Sequence, residues 1–334
     1  MRSLYIVVAL MVGLLFPSCL PEVEGPTENV TVPVAIPAIV YSMKGVGIDL
    51  PQSDFVDMKN AGIEILSTEW GMEQDIDMAR RFLNQAQAAG LKVVMDGGFS
   101  YTAWGFTDDD WEGSPAGKRP VWQKERVQNW INALKDHPAI YAWDICNEFG
   151  ENLPSGAGMS GSDWPESRIT LEQLKQARAD VLEADNTRPI HIRTYEWESN
   201  DRTAFIESVL DARIADIISL NLYSNYLDNG RLQWPDVIAD AGQRCVTEIK
   251  QRAPQTKIWL SIAAFEDDDI FERPTPSSLA RDIKYAYEIN GLDGISFFCW
   301  GPVDQWDEQN DWYLPKTGAD LWSVIKEKIK KEGR

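Results

Sequence analysis

The sequence predicts a (β/α)₈ barrel, and three observations carry that prediction. From residue 40 onward, short apolar runs alternate with amphipathic stretches, giving eight strand–helix pairs. The strands are apolar almost throughout, which is the pattern of a parallel sheet covered on both faces. No glycine-rich phosphate loop follows the first strand, so an open nucleotide-binding sheet is the weaker alternative.

The elements follow in order. Residues 46–50 are the first expected strand, and 52–61 a helix ended by Gly62. Residues 63–68 form the next strand, and 75–89 a helix stopped by Gly90. Strand 92–96 precedes a long loop rich in Gly, Asp and Trp, then helix 123–135. Strand 140–146 comes fourth. Thr170 opens the helix behind it, with Gln173 three residues on, the spacing of a capping box. In the second half, strand 190–194 precedes helix 204–213, and strand 217–221 precedes helix 235–252. Strand 257–263 precedes helix 277–289, and strand 294–299 precedes helix 318–332.

The first 38 residues read as targeting rather than fold. Arg2 is followed by an apolar run over 5–16, too short to cross a bilayer but suited to a signal-peptide core. It ends in Leu15-Phe16-Pro17-Ser18-Cys19, which resembles a bacterial lipobox with Cys19 as the lipid-modified residue. Pro17 departs from the usual pattern, and ordinary signal-peptide cleavage is the alternative. Residues 1–19 are thus expected to be a lipoprotein-type signal peptide, 20–38 a proline-rich tether and 39–334 the barrel domain. An exported cell-surface or periplasmic protein follows, touching the membrane only through a lipid at Cys19.

Charge and composition narrow the partners. The 334 residues hold 32 Lys and Arg against 52 Asp and Glu, a net charge of −20. So acidic a surface repels nucleic acid, which is not expected to bind, whereas a neutral polysaccharide is indifferent to it. The same charge would also serve solubility alone. Apart from Cys19 the cysteines are Cys146, Cys245 and Cys299, an odd number with no metal-ligand spacing. Cys146 and Cys299 lie in apolar runs and are expected to be buried thiols. Two histidines, His137 and His191, are too few for a typical zinc site, and no metal or cofactor is expected. The acidic runs 108–110 and 267–269 lack EF-hand spacing and are read as exposed turns, with calcium binding as the alternative. A monomer is expected.

In such a barrel the chemistry sits on loops after the C-terminal strand ends. The residues there include Asp49, Glu69, Trp70, Asp96, Asn147, Glu148, Tyr195, Glu196, Tyr223, Glu266 and Trp300. The fourth strand, Tyr141-Ala142-Trp143-Asp144-Ile145-Cys146-Asn147-Glu148, resembles the motif of clan-A glycoside hydrolases such as family 5 cellulases and mannanases. The resemblance implies Glu148 as the acid/base and Asn147 as a ligand of the sugar 2-hydroxyl. The sixth strand, 216–223, is similar to the clan's sixth. It implies that Tyr223 hydrogen-bonds the nucleophile and that Asn221 faces the substrate, with strand-end packing as the alternative for Tyr223. Trp300, ending the eighth strand, would floor the sugar subsite. Glu69, Trp70 and Trp197 are further candidates for substrate contact.

The seventh strand departs from the clan's pattern. The position where the resemblance implies a nucleophilic Glu holds Ile262, and the first carboxylate in reach is Glu266. A bulge or a longer strand would bring Glu266 to that place. Asp267, Glu196 and Glu69 are its rivals, and a site without a nucleophile is the other outcome. Seven tryptophans (Trp70, Trp104, Trp111, Trp197, Trp234, Trp300 and Trp306) follow expected strands. Sugar rings stack their C–H faces on such flat rings, although core packing explains any single one. The expected function is retaining hydrolysis of a neutral β-glucan or β-mannan by double displacement. The competing expectation is a surface barrel that binds glycans and cleaves nothing.

Overall fold

Eight parallel strands close on themselves in the computed structural model of the chain. The structure describes residues 37–42, 50–68, 71–72, 75–105, 120–147, 169–195, 207–228, 230–266, 271–301, 314 and 318–332. The strands are β1 (Ala38–Ser42), β2 (Ile63–Thr68), β3 (Lys92–Asp96) and β4 (Ile140–Asn147). They continue as β5 (Ile190–Tyr195), β6 (Ile217–Asn221), β7 (Lys257–Ala263) and β8 (Gly294–Trp300). Each pairs with the next, and β8 pairs back with β1, so the sheet has no free edge. A two-stranded hairpin, Leu227–Asp228 with Arg231–Leu232, leaves the barrel after β6.

The first strand corrects the expected order. It is Ala38–Ser42, not 46–50, and it pairs with β8 from Ala38 opposite Ile295 to Tyr41 opposite Phe298. Proline hides it in the sequence. Pro37 has no N–H to give a ladder, but its carbonyl accepts from Ile295 N at 3.1 Å, so the strand begins directly behind it. Residues 46–49 lie outside the described residues, and Leu50 is buried without belonging to a strand.

The helices match the expected pattern because their ends are chemically marked. Helix α1 is Gln52–Asn60, and α2 is Ile76–Ala89. Asp75 caps α2 by accepting from Met78 N, and Gly90 ends it at φ 77°, a backbone that side chains resist. Helix α3 is Lys124–Leu134. The expected capping box is present at α4, Leu171–Ala184, with Thr170 and Gln173 bonded reciprocally. Residues 207–211 are helical behind β5 and count as α5. The sixth helix is not the single run expected. A π-helical turn, Ile238–Gly242, leads into α6, Gln243–Arg252. There Gly242 packs so closely on Ile289 that a Cβ would stand 2.6 Å from its Cδ1. Helices α7 (Pro276–Glu288) and α8 (Ala319–Glu332) complete the ring.

Strand parity divides the core in two. Outward positions such as Val40, Leu66, Val93, Leu220, Leu260 and Ile262 join the large apolar layer under the helices. Inward positions Ile39, Ile65, Val94, Ala142, Ile217 and Trp259 fill the lower lumen. Trp259 dominates that layer, stacked near Tyr141 at 6.0 Å and His191 at 5.2 Å. A ring this large needs an absent side chain beside it. At Gly294 of β8 a Cβ would lie 2.5 Å from Trp259 Cδ1 and 3.0 Å from Ile39 Cδ1. Gly294→Ala is therefore expected to overpack the lumen and cost about 1–3 kcal/mol, read as a lower midpoint in urea unfolding. An unchanged midpoint would mean that the lumen is looser than this packing requires.

Candidate active site at the barrel mouth

Above Trp259 the lumen turns polar, and a buried charge network forms the floor of the mouth. Asp144 on β4 and His191 and Arg193 on β5 all project inward, because parity repeats every second residue. The Arg193 guanidinium lies 3.0 Å from Asp144 Oδ2, and both side chains are almost wholly buried. It also crosses the lumen to donate to Ser67 Oγ and to the Thr68 carbonyl, both at 3.2 Å, on β2. Its carbon sits 4.7 Å from the centre of the Phe99 ring, in cation–π range. One side chain therefore ties β5 to β4 and to β2 on the far wall.

His191 lies below Arg193. Its Nδ1 is 3.2 Å from Asp144 Oδ2, and its Nε2 is 2.8 Å from Ser219 Oγ on β6. Ser219, His191 and Asp144 stand in the order of a serine-hydrolase relay. None of the three is more than marginally exposed, so the serine hydroxyl has no approach for a substrate. The group works as a polar layer of the lumen. Cys146, two residues beyond Asp144, is no better as a nucleophile. Burial raises its thiol well above the ordinary range, and the Asp144 charge adds to that. Cys146 and Cys299 are buried, as their apolar settings suggested, and so is Cys245.

The rim is held by fixed backbone. Asp96 ends β3, and its Oδ1 accepts from the backbone N–H of Gly98, Phe99 and Ser100, while its Oδ2 accepts from Met72 N at 2.9 Å. Burial raises the Asp96 carboxyl pKa, and these hydrogen bonds oppose the rise. Asp96 thus organises two loops rather than facing a ligand. In β4 the register shifts, with Asp144 opposite His191 and Asn147 opposite Arg193. The extra residue is a bulge, a common way to re-aim the end of a strand beside a site. Asn147 is therefore the last β4 residue at the level of the Arg193 floor. Glu148 follows it directly but lies outside the described residues, as do Glu69, Trp70, Glu196, Trp197 and Asp267. The acidic runs 108–110 and 267–269 lie outside them too.

The far side of the mouth is aromatic. Asn221 ends β6, buried and in register with Ser261 of β7 and Tyr195 of β5. Tyr223 is half-buried, with its ring 5.5 Å from Phe265, 5.8 Å from Phe271 and 5.9 Å from Phe298. Glu266, half-buried, follows Phe265 three residues beyond the end of β7. The expected bulge in β7 is not there. Its register with β8 runs unbroken from Trp259 opposite Gly294 to Ala263 opposite Phe298, and Ala264 N continues it to the Phe298 carbonyl. Ile262 faces the helices, so the inward residue at this end of β7 is Ala263.

Two tryptophan expectations are corrected. Trp300 is 1% exposed, donates its indole N–H to Asp54 at 3.1 Å and packs edge-on against Trp322. A register shift against β1 between Phe298 and Trp300 turns it outward against α1 and α8, whereas Phe298, two residues earlier, is the half-buried aromatic of β8 at the mouth. Trp104 is likewise buried, bonded to the Gly98 carbonyl. Trp111 and Trp306 lie outside the described residues, so Trp234 is the one described member of the seven that is exposed. Sequence reasoning missed Asp144, Arg193 and Phe298 as site-forming residues. The available signal was charge at every second position within apolar strands, as in Ile190-His191-Ile192-Arg193.

No known family model matches the sequence, and no curated protein matches it. Solved structures do match the fold. A GH5_18 from Bifidobacterium longum subsp. infantis superposes with a TM-score of 0.60 at 15% identity, over 89% of this chain and 79% of that one. The endo-beta-1,4-mannanase from Thermotoga petrophila gives a TM-score of 0.54 at 13% identity, covering 90% and 77% of the two chains. Xylanase 10B from Thermotoga petrophila RKU-1, in complex with xylobiose, gives 0.56 at 13% identity over 90% and 95%. What this chain shares with them is the (β/α)₈ fold. The resemblance read from the fourth strand is met at that level.

The Arg193 bridge makes a direct prediction. Arg193→Met strips the buried Asp144 carboxylate of its guanidinium, leaving His191 as its partner among the described residues. The expected loss of stability is about 3–5 kcal/mol in urea unfolding. A loss under about 0.5 kcal/mol, as for an exposed ion pair, would contradict the bridge.

Proposed function

We propose that the chain is a retaining glycoside hydrolase acting on a neutral β-linked polysaccharide, of β-glucan or β-mannan type. The observation that carries the reading is the end of β4. There Asn147, the last residue of a bulged strand, stands level with the buried Arg193 floor, and Glu148 follows it in sequence. Supporting it, the barrel fold is that of a mannanase and a xylanase.

In mechanism, Glu148 is protonated at rest and donates its proton to the leaving glycosidic oxygen. Glu266 attacks the anomeric carbon and forms the glycosyl-enzyme, and Glu148 then takes a proton from water to release the sugar. Asn147 holds the sugar 2-hydroxyl, Tyr223 orients Glu266, and Asn221 borders the substrate. Glu69, Trp70 and Trp197 contribute further contacts. The protein is exported, anchored through a lipid on Cys19 and monomeric, with residues 20–38 as its tether.

A binding barrel without hydrolysis is the second reading. It is favoured by β7, whose span from Lys257 to Ala263 holds no carboxylate and presents Ala263 inward at the mouth.

Replacing Glu148 by Gln separates the two. Hydrolysis of unactivated polysaccharide should fall by about three orders of magnitude or more. The glycosylation step on an aryl glycoside with a good leaving group should suffer far less, since that group needs little protonation. Near-normal turnover of the polysaccharide by Glu148→Gln would remove Glu148 from the mechanism. A wild type that cleaves no glycan in a broad panel would favour the binding barrel.

A further inference from the structure

The hairpin after β6 ends in an aromatic pair that the catalytic reading does not use. Trp234 is 37% exposed, and its ring stacks on Tyr226 with centroids 5.2 Å apart and planes 13° apart. Most described tryptophans are held differently. Trp104, Trp122, Trp130, Trp143, Trp300 and Trp322 each donate their indole N–H to a protein oxygen. Among the described residues the Trp234 N–H has no such acceptor, although its ring is the exposed one.

The pair is backed by ordered structure. Gln233 N donates to the Tyr226 carbonyl and Val237 N to the Trp234 carbonyl, both at 3.1 Å. Asn225, next to Tyr226, is buried and donates to the carbonyls of Phe265 and Glu272. Tyr226 also forms a β-bridge with Phe271, their rings 5.7 Å apart. Phe271 touches Tyr223, and Tyr223 touches Phe298 at the end of β8. A continuous aromatic run thus leads from exposed Trp234 to the barrel mouth.

We infer that Trp234, supported by Tyr226, is an accessory sugar-binding platform that stacks a pyranose ring of a neutral glycan outside the catalytic mouth. A flat ring fixed by a coplanar neighbour presents apolar surface at little entropic cost, which suits the C–H face of a sugar. The free indole N–H is placed to meet a ring hydroxyl. A net charge of −20 disfavours anionic ligands. Because the platform joins the mouth through Phe271 and Tyr223, it serves a chain longer than the mouth alone accommodates. This rests on the glycosidase reading only for the chemical class of the ligand.

Affinity gel electrophoresis of the purified protein in mixed-linkage β-glucan, glucomannan and xylan tests the platform without requiring hydrolysis. The wild type should be retarded by at least one glycan. Trp234→Ala should bind about fivefold more weakly at unchanged melting temperature, and Trp234→Phe should recover part of the loss. Equal retardation of wild type and Trp234→Ala, or no retardation of wild type by any of the three, overturns the proposal. Sedimentation showing a dimer that Trp234→Ala dissociates, with glycan retention unaltered, also overturns it and assigns the surface to a second copy. Hydrolysis of the same glycans by wild type is scored separately, so failure of the catalytic reading is distinguishable.

Discussion

A guanidinium crossing the inside of a closed barrel is the constraint on which the site depends. Arg193 reaches from β5 to the Thr68 carbonyl on β2, and Asp144 on β4 supplies the opposite charge. A lone charge in that setting would be very costly, so the two groups and their polar neighbours stand or fall together. The pair also sets the depth of the mouth. Below it the lumen is filled by His191, Trp259 and the smaller apolar side chains around them. Above it, the ends of β2 and β4 are held at a fixed separation by one side chain. That matters because Glu148, the acid/base of the proposed mechanism, and Glu69, a proposed substrate contact, follow these ends in the sequence.

The fold was largely legible because its signals are local. Strands buried on both faces read as apolar runs, and helix ends carry chemical marks such as Asp75, Gly90 and the Thr170–Gln173 box. The misses also have physical causes. Proline before β1 imitates a tether and hides Ala38–Ser42 in the sequence. Face is harder to read than strand, since a parallel strand is apolar on both sides and shifting by one residue exchanges lumen for helix layer. The register shift that ends β8 compounds that ambiguity and turns Trp300 to Asp54 and Trp322. The same ambiguity applies to Ile262, whose mismatch with a nucleophile position loses force once the side chain is seen to face the helices.

The candidate site was legible in part. Position along β4 was readable, because Asn147 does end that strand. The floor was not, since Asp144, His191 and Arg193 become one network only when strands far apart in sequence are brought together. Nor was the division of the aromatics. The tryptophans at the strand ends suggested a sugar surface, and among the described residues the mouth is bordered by Tyr223, Phe271 and Phe298, with Trp234 farther out. The described parts of the mouth are thus unlike, with the buried Asp144–Arg193 pair under β4 and the rings of Tyr223, Phe265, Phe271 and Phe298 beside β6 to β8. A sugar, with apolar faces and polar edges, matches such a division.

The central claim is that this mouth performs double displacement with Glu266 as the attacking group, and covalent trapping tests it most directly. A 2-deoxy-2-fluoro glycoside with an activated leaving group should accumulate a glycosyl-enzyme, because the fluorine slows its hydrolysis. Peptide mass mapping should then find the added sugar on Glu266 within residues 257–273. A label on another carboxylate, or none on an enzyme that turns over the same glycoside, would contradict the account.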